Sequence, residues 1–162
     1  MRRRTLVDKQ ILIERLEMAF DKKAWHGPNL RGTLRKLTPE EAAWRPGPGR
    51  HNIWELAMHC AYWKYAVRRQ LTGEKRGSFP AEGSNWFKRP LVLTKEAWHE
   101  DLQLLIAQHQ EFLAVVDAVK DKDLTLRPGT SKYTRAFLVD GAAAHDLYHA
   151  GQIQLIKRLM HA

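Results

Sequence analysis

His145 and His149 are four residues apart, and a helix projects such a pair from adjacent turns of one face, close enough to ligate a single ion. They belong to a run spaced by fours and threes: Leu138, Ala142, His145, His149, Gln152, Ile156 and Leu159. That spacing predicts one inward-facing seam carrying two imidazoles and an amide. Polar side chains at positions that otherwise hold core residues break the apolar pattern, and such breaks tend to mark function or strain. Gly141, Ala143, Ala144, Ala150 and Gly151 surround the pair, leaving room for a pocket or for a close neighbouring helix. A third histidine, His59, falls on the inner side of an earlier helix near Leu56 and Trp63. Three neutral imidazoles with a fourth place open suit zinc, nickel or another late first-row ion holding water. The same residues also fit a plainer account, in which each histidine is satisfied separately by core hydrogen bonds. A pair at this spacing arises readily by chance in a chain with eight histidines, so the seam position carries the argument.

Other residues compete for a place beside the trio. Glu55 lies one turn before His59 and could orient it, but its position also fits a helix cap. Gln152 could hydrogen-bond a ligand or satisfy a buried amide. His109, on the seam of another helix, and His26, in the Trp-His-Gly-Pro break, are candidates for the same pocket or for a fourth, closing ligand. Asp146 gives a His-Asp-Leu-Tyr-His string reminiscent of metalloproteases, but Asp is one methylene shorter than their Glu and no third downstream ligand follows; solvent or a hydrogen bond to the site is its expected use. Cys60 points about 100° away from His59 and is expected to pack in the core. Trp86 and Phe87 could close a pocket or form a dimer contact. His51 reads as a loop residue, and His99 and His161 as surface.

Helical periodicity dominates the chain. A first helix is expected from about Thr5 to Lys23, with Leu6, Ile13, Leu16 and Phe20 on one face and Gly27-Pro28 after it. Leu30, Leu34 and Leu37 form a short piece, and Thr38-Pro39-Glu40-Glu41 opens another with a capping box. Asn52 to Glu55 is a second capping box, opening a helix to about Leu71 that ends at Gly73. Residues 74–93 form a long loop rich in Gly, Pro and Ser. Thr94 caps a helix to about Lys120, whose seam is Trp98, Leu102, Leu105, His109, Phe112, Val116 and Val119. Thr134 caps the last helix, with Tyr133 and Leu138 placed as a hydrophobic staple. Four long helices and a few short pieces imply an all-α four-helix bundle, one domain over residues 1–162.

Composition narrows the function classes. The net charge is +9, but the basic residues (Arg2 to Arg4, Lys22-Lys23, Arg68-Arg69, Lys75-Arg76, Lys88-Arg89, Lys157-Arg158) occur in short groups rather than one stripe with interleaved aromatics, which argues against a nucleic-acid partner. The N-terminus lacks a signal-peptide core, and no apolar run is long enough to span a bilayer. One cysteine excludes an internal disulfide. A soluble, cytoplasmic protein is expected.

Asn52-Ile53-Trp54-Glu55-Leu56-Ala57-Met58-His59 with Ala61-Tyr62-Trp63, and Ala144-His145-Asp146-Leu147-Tyr148-His149-Ala150-Gly151-Gln152-Ile153, together resemble the second-helix and last-helix motifs of the DinB-like (DinB/YfiT) superfamily. The resemblance covers nearly the whole chain. It implies an up-down-down-up bundle, a homodimer, and a metal triad made of His59, His145 and His149. It also implies a thiol transferase, in which the metal activates a low-molecular-weight thiol, or a thiol-dependent isomerase; an open metal place can activate a water as well, so the expected enzyme is transferase-like or hydrolase-like and acts on a small electrophilic substrate. A non-catalytic, metal-stabilised binding or stress-associated protein is the alternative, because fold and metal together name no substrate.

Overall fold

Every long helix begins on a side chain that accepts one of its unpaired amides. The computed structural model describes residues 7–162. Helix α1 (Lys9–Phe20) is capped by Asp8, so it starts later than the sequence spacing suggests; Thr5, Leu6 and the basic group Arg2 to Arg4 lie outside the described residues. Asn29 caps the short α2 (Leu30–Leu34) and Thr38 the short α3 (Pro39–Ala43), the latter with the full capping box to Glu41. Asn52 and Glu55 form the expected box at the start of α4 (Ile53–Thr72), which stops at Gly73 in the left-handed region, φ +80°. Thr94 caps α5 (Lys95–Ala118) and Thr134 caps α6 (Arg135–Met160). A single 3-10 turn at Asp121–Asp123 precedes α6.

Two apolar clusters fill the bundle and give its topology. At one end Phe20, Ile53, Trp54, Trp98, Leu105 and Ile153 meet. At the other, Leu12, Leu16, Leu71, Phe112, Val116 and Val139 meet. The starts of α4 and α5 therefore share an end with the finishes of α1 and α6, the up-down-down-up arrangement. The parallel pair α4 and α5 requires a crossover, which is the segment 73–94. That segment is pinned: Phe87 is buried against Tyr62 and Phe79, Asn52 Nδ2 donates to the Arg89 carbonyl at 2.8 Å, and Arg89 pairs with Asp101 at 2.7 Å. Full burial of a large apolar side chain such as Leu16 or Phe20 contributes roughly 1.5–3 kcal/mol, so the two clusters outweigh any surface ion pair.

Helix α6 departs from the expected seam. Its buried residues are Val139, Ala143, Asp146, His149, Ala150, Ile153 and Ile156. The core face thus lies about 100°, one residue, away from the predicted stripe. Leu138, Ala142, His145 and Gln152 are half-buried at its edge, and Leu159 is exposed. Just before the cap, Tyr133 stacks on Phe137, with 4.7 Å between ring centres.

Candidate metal centre

The three predicted histidines converge between α4 and α6. His145 Nε2 lies 3.1 Å from His59 Nε2 and 3.0 Å from His149 Nε2. The outer nitrogens of two rings are already committed. His59 Nδ1 faces the Asn85 carbonyl at 2.8 Å, and His149 Nδ1 faces Gln152 Oε1 at 2.6 Å. Both partners are acceptors, so each ring carries its single proton on Nδ1 and turns an Nε2 lone pair inward. His145 has at most one N–H to offer, and it cannot point at both. The three nitrogens are therefore a donor set that a cation satisfies and a hydrogen-bond network does not. Tetrahedral ligands about 2.0–2.1 Å from zinc sit roughly 3.3–3.4 Å apart, a few tenths of an ångström wider than the present spacing. The donor set fits a transition-metal ion.

Electrostatics agree with this. Burial, opposed by the Asn85 carbonyl and reinforced by His149, lowers the His59 pKa to about 4. Burial and then the neighbouring histidines lower His145 to about 3. Burial also lowers His149, against the Gln152 hydrogen bond. All three rings are neutral near pH 7, the form that ligates.

Other side chains hold these rings in place. Trp86 lies flat between His59 (3.9 Å between ring centres) and His51 (3.6 Å). Trp63 Nε1 donates to Asn85 Oδ1 at 2.9 Å, which fixes the residue whose carbonyl holds His59. Gln152 Nε2 in turn donates to the Tyr148 hydroxyl at 3.2 Å. Cavities adjoin the cluster on both sides. One of about 240 Å³, largely apolar, is lined by Trp63, Tyr133, Phe137 and His145. The other, about 450 Å³, has Arg50, His51, Trp86 and His149 in its wall.

The competing candidates separate. Glu55 completes the capping box and binds Arg45 through both oxygens and His51 Nδ1 at 3.1 Å; it reaches the trio only through the His51–Trp86 stack. Its carboxyl stays below the usual range because these partners outweigh burial, the largest single influence. His26 is exposed and lies away from the cluster. His109 is buried, but it stacks on Phe20 at 3.7 Å, and among the described residues neither ring nitrogen finds a partner. It is not part of the cluster. Cys60 is fully buried, as expected, and burial pushes its thiol up. It groups with His145 and Asp146 rather than with the trio.

Asp146 corrects the expectation of a solvent contact. It is 1% exposed and forms an ion pair with Lys64, itself 2% exposed. Burial pushes its carboxyl up and the Lys64 charge opposes this. This pair ties α4 to α6 directly behind His145. Spacing rules missed it, although a lone Lys64 inside the run Tyr62-Trp63-Lys64-Tyr65-Ala66-Val67 is itself a signal, because lysine is seldom fully buried without a partner. Asn85 was also missed. Its only local sign is an Asn after Gly83 and Ser84, and it adopts φ +65°, a conformation Asn tolerates.

Comparison with known proteins agrees with the motifs. A family model described as the DinB superfamily matches residues 24–153. No curated protein and no solved structure matches the chain.

Proposed function

The chain belongs to the DinB superfamily, and on that premise we propose that His59, His145 and His149 hold a divalent transition metal ion, zinc or nickel, at the centre of an enzyme acting on a small electrophilic substrate. The observation that carries this reading is the convergence of three neutral Nε2 atoms with neither His26 nor His109 beside them to close the set. A purely structural ion favours four protein ligands, whereas an open place beside a cavity is the arrangement of a catalytic one. When bound, such an ion lowers the pKa of a water or thiol at its open position into the neutral range.

The protein's part is positioning. The Asn85 carbonyl and Gln152 keep the Nδ1 protons in place, so the lone pairs stay aimed inward. Trp63 and Trp86 keep water from one side of His59. The apolar cavity at His145 accepts the uncharged body of a substrate, and Arg50 at the other cavity suits an anionic group, such as the carboxylate of a low-molecular-weight thiol. The reading includes a cytoplasmic homodimer and treats residues 1–162 as one unit. A non-catalytic, metal-stabilised protein is the second reading, and the two flanking cavities favour the first.

Metal analysis of the purified protein beside His149→Ala tests the site. About one equivalent in the wild type and a large loss in the variant are expected; equal content would sink the assignment. A panel of low-molecular-weight thiols with a chromogenic electrophile then tests the chemistry. Turnover that depends on thiol and disappears in His149→Ala is expected, and metal-loaded protein without turnover across the panel would favour the non-catalytic reading.

A further inference from the structure

His51 lies on the turn before α4, and both its backbone and its ring are held. Arg45 Nη1 donates to the Arg50 carbonyl at 2.6 Å, which fixes the chain just ahead of it. Asn52, just after it, is the buried cap of α4. Trp86 stacks on the ring with 3.6 Å between centres and 5° between planes. The ring Nδ1 lies 3.1 Å from Glu55 Oε2. Glu55 is 5% exposed, and its charge is already matched. Arg45 bonds both carboxylate oxygens, and the Asn52 and Arg89 amides lie 3.4 Å away. A buried carboxylate needs one opposite charge and enough donors. Both are present without His51, so the imidazole is an addition to the cluster rather than its counter-charge.

A carboxylate accepts and cannot donate, so the neutral His51 ring carries its proton on Nδ1 and a lone pair on Nε2. Among the described residues Nε2 has no hydrogen-bond partner, and the side chain is 45% exposed. The ring belongs to the wall of the cavity of about 450 Å³ that Arg50, Trp86, His149 and Gln152 also line. The stack runs on from His51 through Trp86 to His59, with 3.6 Å and 3.9 Å between successive centres, so one indole thickness separates His51 from the trio. The other imidazole of this wall is committed: His149 Nδ1 faces Gln152 and its Nε2 faces His145. The cavity therefore holds one uncommitted imidazole nitrogen, backed by an ionised carboxylate, which is the arrangement of a general base and acid.

We propose that His51 is the proton-carrying catalytic residue of this site and that Glu55, held by Arg45, is its positioning residue. The inference rests on the enzyme reading above. Arg50 and His51 are adjacent in the cavity wall, so a thiol anchored on Arg50 by its carboxylate brings its S–H group alongside His51. The S–H bond breaks, the proton passes to His51 Nε2, and the electron pair left on sulfur forms the new bond to the electrophilic carbon. The leaving group departs with the pair of the bond that breaks and takes the same proton from Nε2, which returns the ring to its neutral form. Glu55 keeps Nδ1 protonated throughout and faces the positive charge that the ring carries in between.

Two measurements test the proposal. Nitrogen-15 NMR of the histidine side chains in the purified protein at pH 8 reads the tautomer without turnover. The His51 signals, identified by their loss in His51→Gln, are expected to show the proton on Nδ1 and none on Nε2; a proton on Nε2 overturns the proposal. In Glu55→Gln a mixture of tautomers is expected, because an amide faces the ring as readily with its N–H as with its oxygen; an unchanged tautomer overturns the positioning role. The panel of thiols with a chromogenic electrophile then reads the chemistry. His51→Gln is expected to keep its metal content, helical circular dichroism and KM, to lose about 10²–10⁴-fold in kcat, and to regain part of that with added imidazole. A kcat equal to that of an active wild type overturns this proposal alone. A wild type without turnover across the panel overturns the enzyme reading and this proposal with it.

Discussion

His109→Leu should make the protein more stable, and increasingly so in acid. The wild-type ring is 3% exposed, stacks on Phe20, and among the described residues leaves both nitrogens without a partner. Each buried polar group left unpaired costs about 1–3 kcal/mol, and losing the aromatic stack costs about 0.5–1.5 kcal/mol. Leucine, of similar bulk, should therefore gain about 2 kcal/mol near neutral pH, a rise in Tm of roughly 4–8 °C for a chain of this size. Acid widens the gap. Burial, then the charges of Lys64 on α4 and Arg31 on α2, lower the His109 pKa to about 2. In the unfolded chain the ring titrates near its ordinary value of about 6.5. Between these values the unfolded state holds the extra proton, so wild-type stability falls as pH drops below about 6.5, by up to ~1.4 kcal/mol per pH unit. By pH 5 the variant's advantage should have grown by about 2 kcal/mol. The histidines of the trio titrate alike in both proteins and cancel in the difference. Urea unfolding followed by circular dichroism at pH 7.5 and pH 5 measures both quantities. A variant less stable than wild type at pH 7.5, or a gap that fails to widen at pH 5, would refute the account of His109 as a neutral, unpartnered ring.

Two further outcomes follow from hydrogen bonds and charges near the centre. Gln152→Ala removes the acceptor that holds His149 Nδ1, so competition against a chromophoric chelator should show metal affinity about 10–100-fold weaker; Gln152→Glu, which keeps an acceptor, should retain most of it, and equal losses would argue against an orienting role. Lys64→Met alone strands the Asp146 carboxylate in the core and should cost about 3–5 kcal/mol in denaturant unfolding, whereas Lys64→Met with Asp146→Leu should recover most of that loss. A double variant no more stable than the single one would show that the pair contributes more than mutual compensation.

The bundle was legible because its helix starts are written in local chemistry. Asn52 with Glu55, Thr38 with Glu41, Thr94 and Thr134 all cap as their sequence contexts predict. The trio was legible in part from spacing, which places His145 and His149 on one stripe, and in part from motif resemblance, which adds His59. The rotation of α6 was not. The predicted seam through Leu138, Ala142 and His145 and the core seam through Val139, Ala143 and Asp146 have the same four-three spacing displaced by one residue, so a count of spacings cannot tell which of them faces the core. That displacement put Asp146 outside the expected core and left its partner Lys64 unremarked. Asn85 was illegible for a different reason: it contributes a backbone carbonyl, which every residue has, and only the path of the crossover brings it to His59.

That carbonyl gives the crossover a thermodynamic connection to the centre. Neutral imidazole has two tautomers, and the protein selects one at His59 with an acceptor that lies 26 residues further along the chain. If Asn85 moves away, the proton is free to shift to Nε2, and the ring then presents a donor where a ligand is required. Whatever stabilises the Nδ1–H tautomer favours the seated crossover, and by reciprocity the seated crossover favours whatever binds that tautomer by the same factor. Residues 73–94 therefore act on the centre by choosing where one proton resides.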